Sequence, residues 1–101
     1  MRQAAIDVPT ARLAEFCARH HIRKLAFFGS VLRDDFRPDS DVDVLVEFES
    51  AHVPGLIRLA GMELELSALL GRKVDLNTPH FFSGSLRARV MGESEVQYVE
   101  K

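Results

Sequence analysis

Cysteine is almost missing from this sequence: Cys17 is the single thiol in 101 residues. No disulfide can close within the chain, and the composition fits a reducing compartment such as the cytoplasm. Nor does any apolar run reach the roughly 20 residues that a membrane-spanning helix needs. The first residues lack a secretory pattern, so no membrane partner is expected. An excess of charge is missing too. Lys and Arg number 13 against 15 Asp and Glu, a net charge of −2, which argues against a broad basic surface for long nucleic acid. There is no internal repeat, low-complexity segment or linker. A chain of this length supports one hydrophobic core and not a second, so residues 1–101 read as one domain.

What is present is concentrated in residues 29–48, GSVLRDDFRPDSDVDVLVEF. Residues 41–46 read DVDVLV, and a strand sends alternate side chains to opposite faces. Asp41 and Asp43 therefore share one face, and Val42, Val44 and Val46 fill the other. Two carboxylates this close, one inside an apolar strand, repel each other and lose hydration unless a cation neutralises them. Hard oxygen donors of this kind suit Mg²⁺ or Mn²⁺, and Mg²⁺ is usually shared between carboxylates and substrate phosphates. Gly29-Ser30, just upstream, supplies a phosphate cradle. Gly permits close backbone approach, Ser30 offers a hydroxyl and an N–H, and a short helix from Ser30 would point its N-terminus at an anion.

Simpler explanations fit parts of this stretch. Asp39, Asp41 and Asp43 begin like a calcium loop, but that motif needs Gly and Glu where this chain has Val44 and Ser50. Gly29-Ser30 taken alone suits a turn closing a strand, and Asp41 suits a turn residue after Pro38. Asp43 has no such alternative.

In chain order, residues 1–8 form a lead-in and residues 9–20 a helix, with Pro9 favouring its first turn. Leu13, Phe16, Cys17 and His20 make its inner stripe. Cys17 reads as core, having no activating base nearby in sequence. His20 and His21 end the helix, where a cation suits the dipole, and His21 takes the left-handed position. As adjacent residues they make poor ligands for one metal and receive no catalytic role. Residues 24–28 form a strand that delivers Gly29-Ser30, and residues 34–39 a polar loop. Pro54-Gly55 breaks the chain before a helix over residues 56–70, ended by Gly71. Leu59, Met62, Leu66, Leu69 and Leu70 line its buried face. Gly61 within it suggests close packing on the sheet or a gap left for substrate. A third strand over residues 73–77 should run parallel to the second, because a crossover helix joins them. Asp75 then joins Asp41 and Asp43 at one edge, unless it pairs with Arg72 or Lys73. A helix over residues 83–91 with Leu86 and Val90 inward, then an extended tail, completes the chain. Phe81, Phe82 and Tyr98 read as packing residues. The fold class is α/β (α+β), with a small mixed sheet of about three strands flanked by helices.

Gly29-Ser30, ten residues, then Asp41-x-Asp43 entering a strand resembles the signature of nucleotidyltransferases of the DNA polymerase β superfamily. Within it the chain is similar to minimal nucleotidyltransferases, small antitoxins that act beside HEPN-type RNase toxins. The likeness covers nearly the whole chain. It implies ATP as substrate, two Mg²⁺ ions (Mn²⁺ being possible) on Asp41, Asp43 and Asp75, and phosphate contacts from Gly29, Ser30 and Arg33. Asp75 takes the place of the family's third carboxylate. Arg33, one helical turn after Ser30, reaches a phosphate as a charge-assisted donor or else pairs with Asp34, Asp35 or Asp39. Many relatives carry small residues and a Gly around this Arg, whereas this chain has Leu32 and Asp34.

Little chain remains for gripping an acceptor, so the acceptor should be small or carried by a partner. The resemblance implies a Tyr hydroxyl on a cognate HEPN-type toxin, which receives AMP and is silenced. Two other readings stay open: an antitoxin that neutralises by binding alone, and a small-molecule nucleotidyltransferase working with a separate acceptor-binding subunit.

Overall fold

A proline before an amphipathic run starts the first helix, and the computed structural model places it as α1, Thr10–Arg19. The structure describes residues 8–32, 37, 40–79 and 82–100. Pro9 caps α1 rather than entering its first turn, its carbonyl accepting the Leu13 N–H at 2.9 Å. Leu13, Phe16 and Cys17 are buried, as their spacing predicts. Burial pushes the Cys17 thiol up to about 12, so it stays protonated and serves as core. The helix stops where His21 takes a left-handed φ of 58°, and the chain enters β1, Ile22–Phe28. His20 is spent on packing: its ring tilts against Phe16, and its Nε2 lies 2.9 Å from Glu65 Oε1 on the next helix.

β1 runs antiparallel to β2, Val42–Phe48, with Phe27 opposite Val44 and Phe28 opposite Asp43. The helix α2, Leu56–Leu70, then crosses over to β3, Val74–Asn77, which lies parallel to β2 as expected of a crossover. Paired residues share a face. Leu25, Phe27, Val42, Val44, Val46, Val74 and Leu76 therefore form one apolar surface, which meets Leu13, Phe16, Met62 and Leu66 from the helices. Leu59, Leu69 and Leu70 pack at its margin.

Three expectations are corrected. Among the described residues the sheet has four strands, in the order β3-β2-β1-β4, because the extended tail pairs with β1 as β4, Glu95–Val99. Pairing with Leu25 sets Tyr98 against the core while Val99 stays exposed, and the register slips between Leu25 and Ala26. Gly61 neither packs on the sheet nor opens a gap for substrate, since it lies on the outer side of α2 with nothing within 4 Å of where a Cβ would be. The last helix, α3 (Gly84–Glu93), buries no residue, and Leu86 is 52% exposed instead of entering the core.

β3 is an edge strand, and edge N–H groups invite unwanted pairing unless they are covered. Here α2 covers them. Ser67 Oγ accepts the Val74 N–H at 3.0 Å, and Glu63 Oε2 accepts the Leu76 N–H at 2.8 Å. These bonds fix the height of the strand that carries Asp75.

Glu63→Ala should lower unfolding free energy by about 1.5–3 kcal/mol and Ser67→Ala by about 0.5–1.5 kcal/mol, the usual spans for charged and neutral hydrogen bonds. Urea unfolding measures both losses. Amide exchange at Leu76 and Val74, respectively, should quicken, and unchanged exchange would mean that α2 does not hold the edge.

Candidate active site

The end of β1 and the start of β2 meet where Phe28 faces Asp43 across the ladder. The next residue, Gly29, has φ 75°, a conformation that side chains with a Cβ rarely adopt. It opens a short 3₁₀ helix, Gly29–Leu32, where a short helix was expected; Val31 anchors it in the core. Ser30 lies in the turn next to Gly29. Arg33, assigned to phosphate contact from the sequence, lies outside the described residues, as do Asp34, Asp35 and Phe81.

Asp43 leans over Gly29. A Cβ at Gly29 would collide with Asp43 Oδ2 and lie 3.2 Å from its Cγ. Across the other ladder, Asp43 and Asp75 are register partners on parallel β2 and β3. They share the face opposite the helices, because Val42 and Val44 on one strand and Val74 and Leu76 on the other point into the core. Asp41 precedes β2 on that same face, half exposed, with Lys73 Nζ 4.0 Å from its Oδ2. This is the juxtaposition expected from strand parity and the crossover.

The donor set fits a hard divalent cation, being three carboxylates without imidazole or thiolate. Their oxygens do not converge fully as they stand. Among the described residues, the group of three ligand atoms lying within 4.8 Å of one another belongs to His21, Glu49 and His52 at the other end of the sheet. Asp41 is turned toward Lys73 and Asp43 toward Gly29.

Beside Gly29 and Asp43 opens a cleft of about 390 Å³, within the range of small-ligand pockets. Phe28, Phe82, Leu86 and Val90 supply an apolar wall, with Arg89 at its side. The rings of Phe28 and Phe82 meet edge to face at 5.8 Å. Phe82, expected as a packing residue, meets Phe28 at the wall of the cleft. Phe28 was open to detection, since strand parity places it on the face of Asp43. Leu86 and Arg89 were not, because nothing in the sequence sets α3 across the cleft from the sheet. The arrangement offers an apolar slot for a planar ring, a glycine turn for an anion and a carboxylate face for a cation.

Comparison with known proteins agrees with this chemistry. The family described as nucleotidyltransferase domain matches residues 11–96. The protein adenylyltransferase MntA of Thermococcus cleftensis is 38% identical over 93 residues, which cover 92% of this chain and 90% of the relative. A solved structure assigned as a minimal nucleotidyltransferase superposes with a TM-score of 0.69 at 36% identity, over 84% of this chain and 85% of the other. The fold is also shared, at TM-score 0.65 and 18% identity, with a complex of a tri-AMPylated Shewanella oneidensis HEPN toxin and its MNT antitoxin. That match spans 90% of this chain and 70% of the other.

Gly29→Ala should cost about 1–2 kcal/mol through its left-handed backbone alone, and more through the collision with Asp43. Urea unfolding measures the loss. A second substitution, Asp43→Ala, should recover part of it by removing the colliding carboxylate, and strict additivity of the two would show that Gly29 and Asp43 are not in contact.

Proposed function

The chain belongs to the nucleotidyltransferase domain family, and from that premise we propose that it is a protein adenylyltransferase serving as the antitoxin of a HEPN-type toxin. It takes AMP from ATP and places it on a hydroxyl of the toxin, a Tyr in our reading. One observation carries the proposal: Asp43 and Asp75 stand in register on neighbouring strands, beside a glycine turn at the mouth of an apolar cleft. The relative named as a protein adenylyltransferase supports the reaction class, and the AMPylated toxin in the complex of like fold supports the acceptor.

In this reading the adenine lies against Phe28, Phe82 and Leu86, which exclude water from the ring. The triphosphate follows the turn at Gly29 and Ser30, with Arg33 as a charge-assisted donor. Asp41, Asp43 and Asp75 would hold two Mg²⁺ ions, or Mn²⁺, which when bound neutralise phosphate charge and favour in-line displacement. Asp75, exposed at the sheet edge, faces the side from which an acceptor arrives. Its carboxylate takes the hydroxyl proton as the acceptor oxygen bonds to the α-phosphorus. The bond from that phosphorus to the bridging oxygen breaks, and pyrophosphate leaves. A docked partner supplies the geometry of the acceptor, since the carboxylate face is open.

Incubated with Mg²⁺, ATP and its cognate toxin, the protein should add about 329 Da per transferred AMP unit to a toxin Tyr, read by intact-mass and peptide mass spectrometry. Asp41→Asn and Asp43→Asn should abolish the addition and the neutralisation, while gel filtration still shows the two proteins associated. Asp75→Asn should slow transfer strongly. If the Asp41→Asn/Asp43→Asn double variant protects cells as well as the parent, neutralisation is by binding and the proposal fails.

A further inference from the structure

The end of the sheet opposite the aspartates holds a second group of ligating side chains. His21 immediately precedes β1 and Glu49 immediately follows β2, and Ile22 and Phe48 between them are ladder partners. The Glu49 N–H donates to the His21 carbonyl at 3.0 Å, which locks the two residues side by side. A 3₁₀ turn, Ser50–His52, then folds back, with the His52 N–H donating to the Glu49 carbonyl at 2.9 Å. Three side chains from two distant parts of the sequence are thereby joined by consecutive backbone bonds.

The rings of His21 and His52 lie 3.7 Å apart and within 9° of parallel. Glu49 Oε1 is 3.9 Å from His21 Nδ1. One ligand atom from each of the three residues falls within 4.8 Å of the others. Tetrahedral coordination at about 2.0–2.1 Å needs ligand atoms about 3.3 Å apart, with the ion in the plane of each imidazole, so one ring must swing out of the stack before both nitrogens face the same ion. Such rotation is open to them, because His21 and Glu49 are only partly buried and His52 is exposed. Glu100, just past β4, lies beside the Glu49 carboxyl. His21 sits in a left-handed backbone conformation, unusual for a residue other than Gly, Asn or Asp, where the chain leaves α1 for β1.

We propose that His21, Glu49 and His52 form a metal site separate from the aspartate face, selective for zinc or another divalent first-row transition ion. Two imidazoles and one carboxylate suit such ions and suit Mg²⁺ poorly, whereas the aspartates have the opposite preference. An ion bound here ties the start of β1 to the end of β2. It leaves one coordination position for water, Glu100 or a donor from a partner. The sequence conceals the site, because His21 next to His20 looks like a poor ligand pair until the fold separates their roles.

The full-length protein should be titrated with Zn²⁺ and with Co²⁺ in the presence of excess Mg²⁺, followed by calorimetry and by the visible bands of tetrahedral Co²⁺. One equivalent should bind, raise the melting temperature and shift the ring signals of His21 and His52 in NMR spectra. His52→Ala, an exposed and structurally mild change, should weaken binding by about tenfold or more and remove the thermal shift. Glu49→Gln should weaken it with His52 intact. The Asp41→Asn/Asp43→Asn variant should bind the ion as the parent does, which separates this site from the catalytic proposal. Equal Zn²⁺ affinity in the parent and in His52→Ala, or no Co²⁺ spectrum in the parent, would overturn the site.

Discussion

Two carboxylates held side by side on neighbouring strands set the terms for the rest of this molecule. Asp43 and Asp75 are register partners, and like charges placed opposite each other in a sheet disfavour the pairing by up to about 1 kcal/mol. Opposing that repulsion is the other face of the same strands. Val42, Val44, Val74 and Leu76 are buried against the helices, and a register slip would turn these side chains out to solvent. The apolar face thus holds the acidic face in place. Glu63 and Ser67 add a second restraint by gripping the outer N–H groups of β3. Gly29 completes the arrangement from the other side, since only a residue without a Cβ leaves room for the Asp43 carboxylate.

Much of this was legible in the sequence because it follows from parity. Alternation in residues 41–46 separates aspartates from valines, and a helix between two strands makes them parallel. The bounds of α2, its C-cap at Gly71 and the left-handed His21 were legible for the same local reasons. What escaped depends on distant partners. β4 has a strand-like composition, but only the free edge of β1 decides that it joins the sheet. Leu86 and Val90 were expected in the core. The core is already filled by α1 and α2, so these residues line the cleft instead. Nothing in the sequence signals that Glu49 and His52 lie beside His21, because their proximity is made by the pairing of β1 with β2.

The two ends of the sheet differ in the kind of ligand they suit. At one end stand oxygen donors, a glycine turn and an apolar slot, a set suited to a nucleoside triphosphate and a hard cation. At the other stand imidazoles and carboxylate, suited to a softer ion. The outer surface of α2 presents Leu56, Ile57 and Leu64 to solvent, an apolar face on the element that also fixes β3.

The claim at the centre of this account is that Asp41, Asp43 and Asp75 act as one cation-holding group beside Gly29. Crystals grown with Mn²⁺ and a non-hydrolysable ATP analogue test it most directly, through anomalous scattering at the manganese edge. The account predicts anomalous peaks at the carboxylates of Asp43 and Asp75, with the triphosphate along the turn at Gly29. A triphosphate bound elsewhere, or manganese that bypasses Asp43, would contradict it.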